Sequence, residues 1–207
     1  MSHFSHMTDD YLRALYIPDV YQHDIYAIDY RRLRDAGVTF LTFDIDDTIA
    51  TWLASDPPKA AKALMEHLKA MGFQVVLLTN NKDARGSHFA GALGIDYVAQ
   101  AEKPLTANFQ KLQTRFGLEK HQMAHIGNSQ TSDVAGGRAF GITTCMVRAV
   151  WRVMETGNPL VKSEGRKLRE ELLARGLWRK HHQEADGDQY YQLGETPPYL
   201  RRAPDKT

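Results

Sequence analysis

Five short apolar runs divide the chain between about residues 35 and 150: VTFLTFD (38–44), FQVVLLTN (73–80), DYVAQ (96–100), MAHIGN (123–128) and TTCMVRA (143–149). The stretches between them carry a different period. PKAAKALMEHLKAMG (58–72) sets Ala61, Leu64, Leu68 and Met71 three to four residues apart, the stripe of a helix with one buried face. DARGSHFAGALG (83–94) and PLTANFQKLQTRFG (104–117) behave alike, and each is closed by a Gly suited to a left-handed C-cap. Pro104 is expected in a first helical turn, where its missing N–H costs nothing. Strands alternating with helices predict right-handed βαβ units. Continuous runs such as VVLL fit strands covered on both faces. The expected fold is therefore α/β, a Rossmann-like three-layer α/β/α core around a mainly parallel sheet.

That core is expected over residues 16–150, preceded by an N-terminal tail (1–15) and followed by a C-terminal extension (151–207). From 151 the alternation stops. GNP (157–159) breaks the chain, and KSEGRKLREELLARGLWRKHH (162–182) then places Leu168, Leu172, Leu173 and Leu177 at helical spacing. The last 25 residues are polar, aromatic and punctuated by Pro and Gly. The leucine stripe is expected to pack on the core or on a second subunit, making a homodimer through this helix, as most amphipathic helices pack. A lid, or a peripheral membrane-surface element, is the other role open to it. Arg166, Lys167, Arg169, Arg175, Arg179 and Lys180 favour the membrane role, and Glu164, Glu170 and Glu171 weaken it.

Composition changes the picture little. The 207 residues are 43% hydrophobic and 25% charged with formal net charge +1, average for a globular chain. A near-neutral balance argues against a dedicated nucleic-acid binder. Cys145 is the single cysteine, so no intramolecular disulfide forms and a reducing, cytoplasmic setting is expected. No apolar run reaches the roughly 18–20 residues of a bilayer span, and MSHFSHMTDD lacks an apolar signal-peptide core.

Polar residues collect at the exits of the predicted strands, where open α/β sheets bind ligands. Asp44, Asp46 and Thr48 follow the first, Thr79, Asn80 and Asn81 the second, Lys103 the third, and Asn128 to Asp133 the fourth. One such group alone reads as turn and cap chemistry; four at successive exits mark a site. A carboxylate can attack phosphorus and split one hard displacement into two easier ones. The attack needs charge relief from a Lys, hydrogen-bond donors and Mg²⁺, and a second acid to protonate the leaving oxygen and activate water. Asp44 and Asp46 can both face the site if the strand loosens there, freeing the Asp46 carbonyl for a metal.

At these residues the sequence resembles the haloacid-dehalogenase (HAD) superfamily of phosphohydrolases. DIDDT (44–48), Thr79, Lys103 in AEKP, and GNSQTSD (127–133) match its four motifs in order and spacing. Within it, the Trp after the first motif, TNN, AEKP and IGNSQTSDVAGG are similar to the YqeG-type phosphatases of subfamily IIIA. The resemblance implies that Asp44 is the nucleophile, Asp46 the general acid/base, Thr79 a phosphoryl-oxygen donor and Lys103 the neutralising cation. It implies Mg²⁺ held by Asp44, Asp46, Asn128 and Asp133, with Thr48, Asn80, Asn81 and Arg85 on the substrate side. Thr48 is further expected to brace the loop, and Arg85 matches an Arg of the YqeG pattern.

One position departs from the pattern. Asn128 stands where the fourth motif usually has Asp, offering Mg²⁺ a neutral oxygen. An active enzyme is expected, and a catalytically silent HAD-fold binding module is the alternative. A response-regulator receiver fits poorly, because its phosphorylated Asp ends the third strand and DYVAQAEKP ends without one. About 30 residues separate the first two motifs and about 22 the next two, too few for a large cap domain. An open site suits a phosphate on something bulky. The YqeG resemblance implies a lipid head group such as phosphatidylglycerophosphate, alongside phosphorylated small molecules.

Overall fold

The computed structural model describes residues 3–150, 159–178 and 189–190. In chain order the elements are α1 (Asp9–Tyr16), β1 (Val20–Gln22), α2 (Tyr30–Asp35), β2 (Phe40–Phe43), α3 (Lys59–Ala70), β3 (Gln74–Leu78) and α4 (Asp83–Leu93). They continue with β4 (Asp96–Val98), α5 (Ala107–Phe116), β5 (Met123–Gly127), α6 (Ala135–Phe140), β6 (Thr143–Val147), α7 (Pro159–Ala174) and β7 (Gln189–Tyr190). A π-helical turn, Gln130–Val134, leads into α6.

The sheet runs β4-β3-β2-β5-β6-β1-β7. Its first six strands are parallel, and β7 adds antiparallel to β1. Side chains alternate across a strand, and β2 shows the consequence. Phe40 packs with Val76, Leu78, Phe109 and Leu112 on one face. Leu41 and Phe43 pack with Met65, Val75, Leu77 and Phe89 on the other. The five expected strands are all present, each trimmed at its ends. The chain order reverses between β2 and β5, and the crevice at such a reversal is where doubly wound sheets bind ligands.

Three features differ from the sequence reading. The first is β1, which is missing from it because VYQ is too short to carry a period. Pairing holds this strand instead. Asp19 N donates to Thr144 O (3.0 Å), Thr144 N donates to the Asp19 carboxylate (2.8 Å), and Arg138 Nη1 reaches Asp19 at 2.5 Å. The second is residues 1–15, expected as a tail. Thr8 caps α1 by accepting from Tyr11 N, and Phe4, Leu12 and Tyr16 are buried with Tyr21, Met146, Leu168, Leu172, Leu177 and Trp178. The third is Pro104, which precedes α5 rather than opening it; the helix begins at Ala107.

The leucine stripe, which runs along α7 and past its end at Ala174 to Leu177, therefore packs on its own chain. Leu168, Leu172 and Leu177 are buried and Leu173 packs beside them. Arg175 is spent on the same junction, donating to the carbonyls of Phe4, Ser5 and Met7 and pairing with Asp9 and Glu171. The rest of the expected extension, residues 151–158, 179–188 and 191–207 with Arg179 and Lys180, lies outside the described residues. Among the described residues no helix is long and apolar enough to cross a membrane, and no inserted cap domain stands between β2 and β4.

Candidate active site

The site forms where β2 frays. Asp44 continues the ladder, its N–H donating to Ile126 O (2.9 Å), and then the chain turns. Asp47 adopts φ 57°, a left-handed conformation that Asp tolerates better than most residues. The turn is closed by Asp47 N to Ala50 O (2.7 Å) and Ala50 N to Ile45 O (3.2 Å). Asp44 and Asp46 are thus brought to one cleft of about 140 Å³, shared with Thr79, Asn80, Asn81, Lys103, Asn128, Ser129, Ser132 and Asp133. A larger groove, about 630 Å³, at the other ends of the strands gathers Lys69, Gln74 and Asp96 among glycines and apolar residues, with no comparable constellation.

Lys103 is the hub. Its buried ammonium donates to Asp44 Oδ1 (2.8 Å) and Asp133 Oδ1 (2.6 Å). Burial alone would depress its pKa, but Asp133 and Asp44 more than offset that and hold it above the ordinary value. Burial pushes the Asp44 carboxyl up to about 7; Lys103 works against the rise, and Asp133 and Asp46 add to it. Burial would raise Asp133 too, yet the Lys103 ammonium and the His125 hydrogen bond hold its carboxyl below the usual range. Both carboxylates share Lys103, but His125 and the Ser129 N–H go to Asp133 alone, so Asp133 is the better stabilised anion of the two.

Asp133 has both oxygens engaged, Oδ1 by Lys103 and by His125 Nε2 (3.1 Å), Oδ2 by Ser129 N (2.9 Å). Expected to help hold Mg²⁺, Asp133 in this arrangement is also the counter-ion that orients Lys103. Gly127 makes this possible, since a Cβ there would overlap the Asp133 carboxyl.

His125 is the site residue the sequence reading missed. It is buried beneath the cleft, and burial, with Lys103 nearby, lowers its pKa below the ordinary value. Its ring bridges the cleft and β2, Nε2 lying 3.1 Å from Asp133 Oδ1 and Nδ1 2.9 Å from Thr42 Oγ1, whose hydroxyl also donates to Ala124 O (3.3 Å). Thr42 and His125 are register partners on β2 and β5. A polar residue midway along an apolar run is the signal the sequence carries for each, but their pairing is set by register alone.

The residues expected on the substrate side divide. Asn80 clamps the Lys103 backbone, accepting from Lys103 N (2.8 Å) and donating to its carbonyl (3.1 Å). Thr48 is buried, and its hydroxyl donates to Asn128 Oδ1 (3.3 Å), tying the first motif to the fourth. Asn81 Nδ2 lies 2.8 Å from Asp46 Oδ2 and 3.1 Å from Thr79 Oγ1. Arg85 does not line the cleft; its guanidinium is bound to Asp46 and to two loop carbonyls. Asn80, Thr48 and Arg85 thus brace Lys103, Asn128 and Asp46, and Asn81 stands between Asp46 and Thr79.

Comparison with known proteins gives the family. The family of haloacid dehalogenase-like hydrolases matches over residues 8–141. Over 139 residues the chain is 30% identical to the Bacillus subtilis protein named probable phosphatase YqeG, covering 66% of this chain and 79% of that one. It is 29% identical over 172 residues to a chloroplastic phosphatidylglycerophosphate phosphatase 1 of Chlamydomonas reinhardtii, covering 79% of this chain and 63% of the algal protein. Among solved structures, a Legionella pneumophila hydrolase of HAD subfamily IIIA aligns with TM-score 0.43 and 18% identity over 72% of this chain and 94% of its own. The chain belongs to the haloacid dehalogenase-like hydrolases, and its class among them is phosphatase.

Proposed function

We propose that the protein hydrolyses phosphomonoesters through an aspartyl-phosphate on Asp44, with Mg²⁺ bound and Asp46 as general acid/base. The observation that carries this is the hold of Lys103 on Asp44 Oδ1 at 2.8 Å. It fixes one oxygen of the nucleophile and leaves the other to attack. In the first step the free Asp44 oxygen bonds to phosphorus as the bond to the leaving oxygen breaks, and Asp46 supplies that oxygen's proton. In the second, Asp46 takes a proton from water as the water oxygen bonds to phosphorus and Asp44 departs. Thr79 Oγ1 and the Lys103 ammonium stabilise the transferring group in both.

The donor set suits Mg²⁺. Among the described residues no group of three or more His, Cys, Asp or Glu side chains gathers as a full cage, and Mg²⁺ seldom uses one. It takes one or two carboxylates, waters and substrate phosphate. Asp44, the Asp46 carbonyl and Asn128 Oδ1 are the oxygens that would hold it, with Asp133 behind them. When bound, the ion supplies charge relief to the phosphoryl oxygens. The Thr79, Lys103 and Asp44 constellation supports an active enzyme; nothing in the site favours a silent binding module.

The cleft, about 140 Å³, accommodates a phosphoryl group and little more, compared with the roughly 300–1,000 Å³ of pockets that enclose a whole small ligand. The rest of the substrate lies outside. Exposed apolar side chains flank the site residues in sequence: Trp52 and Leu53 after the Asp46 turn, Leu105 after Lys103, and Val150, whose N–H donates to Asp47 O (2.9 Å). Apolar flanks and the algal relative's name support a bulky, lipid-like alcohol on the phosphate. The test is turnover over a panel of phosphomonoesters that includes phosphatidylglycerophosphate in micelles. The lipid should give the highest kcat/KM; a preference for small, soluble sugar or nucleotide phosphates would overturn the lipid reading.

A further inference from the structure

Asp46 is held on both sides. Arg85 Nε donates to its Oδ1 at 2.9 Å and Arg85 Nη2 lies 2.8 Å from the same oxygen, while Asn81 Nδ2 meets Oδ2 at 2.8 Å. The remaining guanidinium donors go to Ala54 O (Nη1, 2.7 Å) and Thr51 O (Nη2, 3.1 Å). The ring of Phe89 lies 4.5 Å beneath the guanidinium carbon. Arg85 stands outside the lining of the cleft, whereas Asp46 and Asn81 are part of it.

We propose that Arg85 is the positioning residue of the acid/base: it anchors Asp46 Oδ1 so that Oδ2 is presented to the cleft beside Thr79 and Asn81. This rests on the reading of Asp46 as the proton donor and acceptor. A lone carboxylate at the end of a frayed strand would rotate about its own side-chain bonds, and a proton-transfer group must keep its reacting oxygen in place. A planar fork is the side chain that can bind one carboxylate oxygen and two loop carbonyls together; a lysine ammonium on a flexible stem cannot span them. All three guanidinium nitrogens of Arg85 are engaged with Asp46 and the loop, and Arg85 does not line the cleft, so the phosphate of the substrate is left to Lys103 and Thr79.

The test compares Asp46→Asn, Arg85→Met and the double variant on p-nitrophenyl phosphate, whose leaving group departs without a proton, and on glycerol 3-phosphate, whose alkoxide needs one. General acid catalysis contributes on the order of 10²–10⁴-fold. Because water attack on a shared aspartyl-phosphate limits kcat for both esters, the readout is kcat/KM, which reports the first step: Arg85→Met should lower it on glycerol 3-phosphate by about 10²-fold and on the aryl ester by less than about tenfold. Asp46→Asn should show the same split, and the double variant should be no worse than Asp46→Asn alone. Arg85→Lys, with thermal unfolding measured alongside, keeps the test open if the Met variant folds poorly; it should show the same split in milder form.

If Asp46→Asn splits the substrates in kcat/KM but Arg85→Met lowers both kcat/KM values in parallel, the positioning role is wrong while the acid/base reading stands. Losses that multiply in the double variant overturn it equally. If Asp46→Asn fails to split them, the acid/base reading itself falls, and the role of Arg85 falls with it.

Discussion

Gly127 illustrates how one residue governs the site. Its missing Cβ is the space that the Asp133 carboxyl occupies. Gly127→Ala should push Asp133 away from Lys103 and Ser129, and a misplacement of about 1 Å can cost about 10²-fold in rate. A loss of that size in kcat, with a fold still intact by circular dichroism, is the expected result; an unchanged kcat would show that Asp133 does not set the position of Lys103. Asn128 poses the complementary question. A carboxylate there would add attraction for Mg²⁺, but also its own desolvation and repulsion of Asp44 and the phosphate. Asn128→Asp should therefore tighten Mg²⁺ binding by only about tenfold, or 1.4 kcal/mol, read by calorimetric titration and by the concentration for half-maximal activity. Unchanged or weaker binding would remove Asn128 from the metal.

Among the elements, α7 separates packing from gating. Leu172 is fully buried against residues of the N-terminal helix and the sheet. Leu172→Ala should cost about 3 kcal/mol, the middle of the range for such truncations, seen as a lower urea midpoint. Substrate preference of the folded fraction should stay as it was; a changed preference would revive the lid. The strands that carry the site were legible because they are continuous apolar runs, each ending in a polar group. The β1 strand and the N-terminal helix were not, because both depend on partners far away in sequence. Asp19 is held by Thr144 and Arg138, and Phe4 and Leu12 are covered by α7. The same divide runs through the site. Asp44, Asp46, Thr79 and Lys103 stand in short motifs at strand ends, whereas His125 acquires its role only through its register with Thr42 and its reach to Asp133.

On the scale of the whole molecule, the sheet places everything reactive at one end and seals the rest. Cys145 shows the sealed part. It lies on β6, buried, and burial pushes its thiol pKa well above the ordinary value. The sign is clear: a raised pKa leaves less thiolate at any pH, and thiolate is the reactive form. At pH 8 the native protein should be inert to a chromogenic disulfide reagent and release one thiol on unfolding; rapid labelling of the native protein would contradict this packing.

At the open end, the account turns on whether Asp44 becomes covalently phosphorylated. The direct measurement is mass spectrometry of the peptide containing Asp44 after acid quench of a p-nitrophenyl phosphate reaction. It is best run on Asp46→Asn, in which the first step proceeds with this leaving group while water activation is impaired. The account predicts one added phosphoryl group on Asp44, and none when Asp44→Asn is introduced as well. Turnover by the wild-type enzyme with Asp44 never phosphorylated, or activity retained in Asp44→Asn, would contradict it.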